Sequence, residues 1–208
     1  MNLSALVMAG GRGSRMAGEK AIARVGGISM LSRVVQALSN SKMIDRVIVS
    51  SSSSTPKTSD EAQKLGLEVV NTPGMGYVKD MNYAIRTLNL EHVLVINSDL
   101  PFINTELIDQ VIDRYAKAEK PALTVMVPIS KLTAMGFEPT YTTKLGDETL
   151  APVGLNVLDG KRIGDDEVAQ EVVVMTDVLP FINVNNAADI ERAEILLESM
   201  PRLQQATT

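Results

Sequence analysis

The residues with the clearest chemical meaning lie in AGGRGSRMAGEK, residues 9–20. Glycines there let the backbone approach an anion closely and point successive N–H groups at it. Basic side chains in the same stretch can add charge-assisted hydrogen bonds, which a plain turn would not require. The residues concerned are Gly10, Gly11, Gly13, Arg12, Arg15 and Lys20. The stretch therefore predicts a polyphosphate-binding loop directly after an apolar run.

The spacing of these glycines disfavours two common nucleotide-binding loops. A Rossmann dinucleotide turn requires Gly-x-Gly-x-x-Gly and an acidic residue after the next strand. Here the third glycine of that pattern is missing, and the next apolar run ends in serines. A Walker A loop requires Gly-Lys-Ser or Gly-Lys-Thr at a fixed spacing, which is absent from this stretch.

A carboxylate follows a later apolar run, in VLVINSDLPFI, which places Asp99 just after a strand. Ligands of open parallel sheets bind beyond the carboxyl ends of the strands, so Asp99 is a candidate site residue. Capping the next helix is the alternative role, although Asn104 or Thr105 is better placed for that cap. The only histidine, His92, begins the same apolar run and is a poor candidate base.

Two asparagines near the end of the chain could complete the site. In FINVNN, Asn183 and Asn185 alternate with Ile182 and Val184 and should face one side of a strand end. Capping of the last helix by Asn185 or its neighbour is an equally good interpretation, and both stay open.

The elements that must position these residues are short β-branched runs alternating with amphipathic helical patterns. The runs predicted as strands are residues 4–9, 46–51, 67–71, 92–97 and 123–128. The helical patterns lie in SMLSRVVQALSN, YVKDMNYAIRTL and NTELIDQVIDRYAKA. Near-continuous apolar strands separated by such helices are typical of a parallel sheet covered on both sides. The predicted fold class is α/β, a single doubly wound, mostly parallel sheet with helices on both faces.

The pattern changes after residue 128. Residues 129–156 predict an insertion of loops and short strands that covers part of the site. GLNVLDG and EVVVMTD predict two more strands, and NAADIERAEILLESM predicts a closing helix. SSSSSTPKTSD, residues 50–60, is interpreted as a polar loop. We expect one domain over residues 1–200, with residues 201–208 as a flexible tail.

Composition excludes several classes of protein and site. The absence of cysteine rules out disulfides, thiolate metal sites and cysteine nucleophiles. The net charge of −5 argues against nucleic acid or an anionic membrane as a partner. No apolar stretch approaches the ~20 residues of a membrane helix, and the N-terminus lacks the basic region of a signal peptide. We expect a cytoplasmic protein without membrane insertion.

The pattern Ala9-Gly10-Gly11-x-Gly13-x-Arg15-Met16 with Glu19-Lys20 resembles the signature of the MobA-like NTP transferase superfamily. These nucleotidyltransferases have a Rossmann-like fold and activate sugars and cofactors. The resemblance implies that the loop amides hold the triphosphate of an NTP. The implied nucleotide-binding residues of the loop are Ala9, Gly10, Gly11, Arg12 and Gly13.

The same resemblance implies the catalytic groups. Lys20 would reach the α-phosphate, Arg15 would stabilise charge around it, and Asp99 would bind the cofactor Mg²⁺. Asn183 stands where the superfamily often has an acidic or amide metal ligand, so any second ligand here is neutral.

Three further stretches resemble the archaeal-type GTP:adenosylcobinamide-phosphate guanylyltransferases: STPKT, GMGYVKDMNYAI and APVGLNVL. This resemblance implies transfer of GMP from GTP to a corrinoid phosphate, adenosylcobinamide phosphate, with release of pyrophosphate. Residues 129–156 would then be an acceptor-side insertion. Met75, Tyr77 and Met135 could form an apolar surface for the corrinoid, part of the core or a contact in a homodimer. The additional nucleotide-binding residues that the resemblance implies are Ser51, Thr72, Gly74, Gly154 and Asn185.

Three alternatives remain at this stage. A molybdenum-cofactor guanylyltransferase would keep the chemistry and change the acceptor. A catalytically silent nucleotide-binding regulator would keep only the fold. A Rossmann reductase is disfavoured by the glycine spacing.

Overall fold

The computed structural model describes residues 3–11, 16, 18–165 and 168–200. The strands within these residues are β1 (Leu3–Met8), β2 (Arg24–Val25), β3 (Ile28–Ser29), β4 (Arg46–Ser52), β5 (Glu68–Thr72), β6 (His92–Asn97), β7 (Ala122–Pro128), β8 (Thr143–Leu145), β9 (Glu148–Asp159) and β10 (Gln170–Val174). The α-helices are α1 (Met30–Ser39), α2 (Pro56–Lys64), α3 (Tyr77–Thr87), α4 (Thr105–Lys117), α5 (Ile129–Ala134) and α6 (Ala187–Glu198).

The main sheet is mostly parallel, as the sequence predicts. Its strand order is β10-β7-β9-β6-β1-β4-β5, with β8 paired to β9. Strand β1 pairs in parallel with β4 and β6, and β4 pairs in parallel with β5. Strand β9 runs antiparallel to β6, β7 and β8. The carboxyl ends of β1, β4, β5 and β6 therefore meet at one edge, where a ligand site is expected.

Two apolar clusters cover the opposite faces of this sheet. Side chains alternate along β1, so that Leu3, Ala5 and Val7 join the larger cluster and Leu6 joins the smaller one. The buried apolar side chains of α1 and α4 belong to the larger cluster, and those of α3 belong to the smaller one. Full burial of one such leucine stabilises the fold by about 1.5–3 kcal/mol. The predicted doubly wound arrangement is confirmed.

The polar loop predicted at residues 50–60 is wrong, because this segment contains the end of β4 and the first turns of α2. Proline is favourable at the first helical position, since its missing N–H would have no partner there. Thr55 provides no side-chain cap for α2. The cap comes instead from Glu19, 38 residues away along the chain, so no local pattern reveals the helix start.

Residues 129–156 form α5, a connection over residues 135–142, β8 and most of β9. The prediction of loops and short strands alone is wrong here, because the segment starts with a helix and ends in a strand of 12 residues. This segment leaves the sheet at Pro128 and returns beside it, where Pro128 pairs with Leu150. The predicted tail, residues 201–208, lies outside the described residues. None of the helices in the described ranges is long and apolar enough to span a membrane.

Candidate active site

A cavity of about 520 Å³ lies at the carboxyl ends of β1, β4 and β6. One side is formed by the backbone after β1, the end of β4 and residues 97–99 after β6. Residues 137–141 and residues 151–153 of β9 also line the cavity. Volumes of this order are typical of sites for one small-molecule ligand.

Lys20 and Asp99 form an ion pair on the wall of this cavity. The Lys20 side chain is 26% exposed and the Asp99 side chain only 5%. Lys20 Nζ also donates to Asn185 Oδ1 at 3.1 Å. Three segments far apart in the chain therefore converge on one ammonium group: the end of the glycine-rich stretch, the end of β6 and the turn before α6.

The acidic member of this pair is fixed by the segment that precedes α6. Asn183 Nδ2 donates to Asp99 Oδ1 at 3.1 Å and to the Val153 carbonyl at 3.3 Å. The backbone N–H of Val184 donates to the Asp99 carbonyl at 3.1 Å. This segment is not a strand, but the predicted alternation holds, because Ile182 is buried while Asn183 faces the cavity.

The competing capping roles fall to other residues. Asn104 caps α4, with its side chain accepting from Leu107 N at 2.9 Å. Asn186 caps α6, with its side chain accepting from Asp189 N at 2.9 Å. Neither Asp99 nor the side chain of Asn185 is used as a helix cap, so both side chains remain in the cavity wall.

The described part of the glycine-rich stretch is held against β4. Ala9 N donates to the Ser50 carbonyl at 2.9 Å, and Ser52 Oγ donates to the Gly10 carbonyl at 2.8 Å. Ala9, Gly10 and Gly11 all line the cavity. The predicted site residues Arg12, Gly13 and Arg15 lie outside the described residues.

Glu19 anchors the other end of this stretch to α2. Its carboxylate accepts from Lys57 N at 3.0 Å, Thr58 N at 2.6 Å and Thr58 Oγ1 at 2.7 Å. Burial by itself raises the pKa of Glu19, but the Thr58 and Lys57 hydrogen bonds and the Lys57 charge outweigh it. The pKa therefore lies below its ordinary value. An anionic side chain at a helix N-terminus is stabilising, and here it fixes the backbone next to Lys20.

Several cavity residues were missed by the sequence analysis, and two of them, Ser50 and Asn97, have buried atoms that are unpaired within the described part of the chain. Ser50 and Asn97 lie on either side of Met8 in register across the sheet, and both line the cavity. Ser50 Oγ and Asn97 Oδ1 are buried without a hydrogen-bond partner among the described residues. Unpaired buried polar atoms are uncommon and indicate groups that a ligand or water completes. An alternating polar position at a strand end was the only signal for them in the sequence.

Gly154 makes room for Asn97. Its φ is +75°, and a Cβ at this position would lie 2.1 Å from Asn97 Nδ2. Gly154 does not itself line the cavity, so its place is behind the Asn97 side chain.

The remaining predicted nucleotide-binding residues are divided between the cavity and the sheet. Gly74 lines the cavity, and its N–H donates to Asp80 Oδ1 at 3.0 Å. Ser51 and Thr72 do not line it. Thr72 Oγ1 donates to the Ser51 carbonyl at 2.9 Å, and Ser51 Oγ donates to Asn71 at 2.8 Å. These side chains therefore join β4 to β5.

The oxygen donors present fit a magnesium ion that is shared with substrate phosphates. Asp99 supplies a buried carboxylate, and Asn183 can supply its amide oxygen, since its amide nitrogen is the hydrogen-bond donor. No cluster of three or more His, Cys, Asp or Glu side chains suited to a metal occurs among the described residues. A magnesium ion bound mainly by phosphates and water needs only one or two protein carboxylates.

His92 is far from this chemistry. It starts β6, at the opposite end of the strand from Asn97, and packs edge-on against Tyr115 with ring centroids 6.2 Å apart. The geometry agrees with its exclusion as a base.

Comparisons with known proteins show which proteins this chain resembles. Residues 5–142 match the family model of the MobA-like NTP transferase domain. The adenosylcobinamide-phosphate guanylyltransferase of Methanocaldococcus jannaschii is 31% identical over 207 residues, covering 94% of this chain and 98% of that protein. A probable molybdenum cofactor guanylyltransferase of Thermococcus kodakarensis is 29% identical over 116 residues, covering 56% of this chain and 55% of that protein.

The fold is also shared with a solved nucleotidyltransferase. The structure of CMP:2-keto-3-deoxy-manno-octonic acid synthetase complexed with CTP superimposes with a TM-score of 0.71 and 12% identity. The match covers 96% of this chain and 99% of that one.

Proposed function

Because the chain belongs to the MobA-like NTP transferase family, we propose that it transfers GMP from GTP to adenosylcobinamide phosphate and releases pyrophosphate. The observation that carries this proposal is the convergence of Lys20, Asp99 and Asn185 beside the glycine-rich turn. Similarity to the Methanocaldococcus jannaschii guanylyltransferase extends over 94% of the chain and so includes all of these residues' segments. The choice of adenosylcobinamide phosphate as acceptor and of guanine as the base rests on the similarity to that relative.

The transfer itself is a displacement at the α-phosphorus of GTP. An oxygen of the acceptor phosphate forms a bond to that phosphorus, and the bond to the β-phosphate bridging oxygen breaks. Its electron pair leaves with pyrophosphate. The attacking phosphate is already anionic, so positioning and charge neutralisation matter more than a strong base. This agrees with a site that contains no histidine among its described residues.

Each group in the site has a role in that step. The amides of Gly10 and Gly11 cradle the triphosphate, and Lys20 stabilises negative charge on the α-phosphate. Asn185, which holds Lys20 Nζ at 3.1 Å, orients the ammonium group. Asp99 and Asn183 would hold Mg²⁺, which when bound neutralises phosphate charge and orients the triphosphate.

The Lys20–Asp99 ion pair has a further consequence for binding. A triphosphate bound at Lys20 would compete with Asp99 for the ammonium group, and the Asp99 carboxylate would then be free to hold Mg²⁺. Separating this largely buried ion pair would leave each charge without its partner, which is unfavourable. The triphosphate would supply the new partner of Lys20, and Mg²⁺ would supply that of Asp99.

The proposal is tested by incubating the protein with α-labelled GTP, Mg²⁺ and one of two acceptors, adenosylcobinamide phosphate or molybdopterin. We expect labelled GMP on the corrinoid and none on the pterin. Lys64→Ala, at the exposed end of α2, is a matched lysine control and should react at the normal rate. Labelling of molybdopterin alone would overturn the choice of acceptor, and GTP binding without any transfer would indicate a silent regulator.

A further inference from the structure

Three aspartates are buried among the described residues, Asp80, Asp99 and Asp189, and each is at most 6% exposed. Asp99 belongs to the cavity wall, and Asp80 accepts hydrogen bonds from the turn before α3. Asp189 lies in the first turn of α6 and does not line the cavity. Burying a carboxylate is costly unless hydrogen bonds and charges compensate it, so the partners of Asp189 indicate what it does.

The Asp189 carboxylate accepts from a residue that precedes α6. Its Oδ2 accepts from the backbone N–H of Asn185 at 2.9 Å. Asn186 is the N-cap of α6, and its Oδ1 accepts from Asp189 N at 2.9 Å. In an ordinary capping box, the side chain at the third helical position returns this bond to the N-cap residue itself. Here the carboxylate reaches one residue further, to the residue whose side chain holds Lys20.

Asn185 is held at both its backbone and its side chain. Its backbone N–H is bound by Asp189, and its Nδ2 donates to the Asn183 carbonyl at 3.4 Å. Because the amide nitrogen is used in this way, Oδ1 is the atom that accepts from Lys20 Nζ at 3.1 Å. A chain of contacts therefore runs from a carboxylate on α6 through Asn185 to the lysine ammonium group.

The other oxygen of Asp189 is paired with an arginine of the same helix. Arg192 Nη1 donates to Asp189 Oδ1 at 3.4 Å. The arginine side chain also lies against Gly136, which follows α5 with a φ of +80°, and an added Cβ there would be 3.2 Å from Arg192 Nε. Both carboxylate oxygens of Asp189 therefore have a partner, and the side chain is fixed toward Asn185.

The Lys20 ammonium group needs this restraint once a nucleotide is bound. A triphosphate would take the place of Asp99 in the ion pair, and Asn185 would then be the partner of Lys20 that stays among the described residues. A catalytic group that is misplaced by about 1 Å loses a large part of its effect. How firmly Asn185 is held therefore determines how well the ammonium group points at the α-phosphate.

We propose that Asp189 is a positioning residue for Lys20 and that it acts through Asn185. This inference rests on the proposed function and adds a residue that touches neither the nucleotide nor the acceptor. Asp189 fixes the backbone of Asn185, and Asn185 Oδ1 fixes the direction of the ammonium group. Without the carboxylate, the amide and ammonium groups can turn away from the α-phosphate.

The test compares Asp189→Ala with Asn104→Ala, which removes a helix cap from α4 that does not line the cavity. We expect kcat for GMP transfer to fall about tenfold in Asp189→Ala, the loss of one strong hydrogen bond, with KM for adenosylcobinamide phosphate unchanged. Asn104→Ala should be less stable in urea and keep the kcat of the parent. Equal kcat values in the two variants would show that Asp189 only caps α6 and would overturn the inference.

Two further variants separate positioning from a general loosening of α6. Asp189→Asn keeps an acceptor oxygen for the Asn185 N–H and should have a kcat within about twofold of the parent. In an Asn185→Ala background, where the link to Lys20 is already cut, Asp189→Ala should change kcat by less than about twofold. A full tenfold loss in that background, or an Asp189→Asn variant as slow as Asp189→Ala, would contradict the inference. Asp189→Ser, whose hydroxyl is too short to reach Asn185 N, replaces Asp189→Ala if the latter does not fold.

A binding measurement distinguishes failure of this inference from failure of the proposed function. Calorimetric titration with GTP and Mg²⁺ needs no acceptor, and we expect Kd for GTP to rise about fivefold in Asp189→Ala and to be unchanged in Asn104→Ala. If the parent binds GTP but transfers GMP to neither acceptor, the proposed function fails and the titration still decides the role of Asp189. If the parent transfers GMP and Asp189→Ala changes neither kcat nor Kd, only the inference fails.

Discussion

Glu19 offers the sharpest test of how the site is held together. Its carboxylate accepts three hydrogen bonds from the first turn of α2, at 3.0, 2.6 and 2.7 Å. Glu19→Gln keeps the shape but replaces one acceptor oxygen with a donor amide and removes the charge. Loss of a helix cap costs about 1 kcal/mol, and hydrogen bonds to charged groups contribute about 1.5–3 kcal/mol each when fully buried. Because Glu19 is partly exposed, we expect a loss near the lower figure, about 1 kcal/mol.

The direction of the Glu19 pKa shift determines how the stability difference between the two proteins changes with pH. The pKa of Glu19 is lowered in the folded protein. The carboxylate therefore contributes stability above the ordinary glutamate pKa of about 4.3, and this contribution is lost as the pH falls through the lowered folded value. The free energies of unfolding of the parent and of Glu19→Gln should differ at neutral pH and approach each other in acid.

Urea unfolding followed by circular dichroism at neutral and acidic pH measures this difference. Glu68→Gln is the matched control, because Glu68 pairs with Arg46 on the surface, where both side chains are about 40% exposed. Exposed pairs of this kind contribute only about 0–1 kcal/mol. If Glu19→Gln is as stable as the parent at neutral pH, or if the gap persists unchanged in acid, the capping argument is refuted.

Two further predictions concern the cavity itself. Lys20→Ala should lower kcat by at least about a hundredfold, as expected when a group that stabilises transition-state charge is removed. Asp99→Ala should abolish either the activity or its dependence on Mg²⁺. Near-normal rates of pyrophosphate release in both variants would contradict these assignments. Gly154→Ala should destabilise the fold and raise KM for GTP, because the added Cβ would displace the Asn97 side chain. Gly27 is the matched control: its φ is +79°, and a Cβ added there would have no atom within 4 Å. Gly27→Ala should therefore show only the backbone strain, about 1–2 kcal/mol.

The sequence predicts best those features that depend on local periodicity and on residue type. The near-continuous apolar run of β1 and the amphipathic pattern of α4 place these elements correctly, and Asn104 is one of the two cap candidates that the sequence offers. Gly10, Gly11, Lys20 and Asp99 were recognised as candidate site residues, and they line the cavity, because glycine, lysine and aspartate at strand ends carry chemistry that few structural roles require.

The features that the sequence did not predict depend on contacts between distant segments. Helix α2 was interpreted as a loop because its cap is a glutamate from another part of the chain. Asn97 was not recognised as a cavity residue, because its place depends on the space that Gly154 leaves on β9. Ser51 and Thr72 were placed beside the nucleotide, but adjacent strands in register let them bond to each other.

The pairing of Pro128 with Leu150 has a consequence for how such enzymes can diversify. The chain leaves β7 at Pro128 and returns opposite the same residue at Leu150, so the two ends of the intervening segment, which includes α5 and β8, are held together by the sheet. Insertions within such a closed excursion cost little loop-closure entropy and leave the strand register untouched. We therefore expect the segment from residue 129 to residue 149 to tolerate changes in length and sequence without disturbing the strands that end at the cavity.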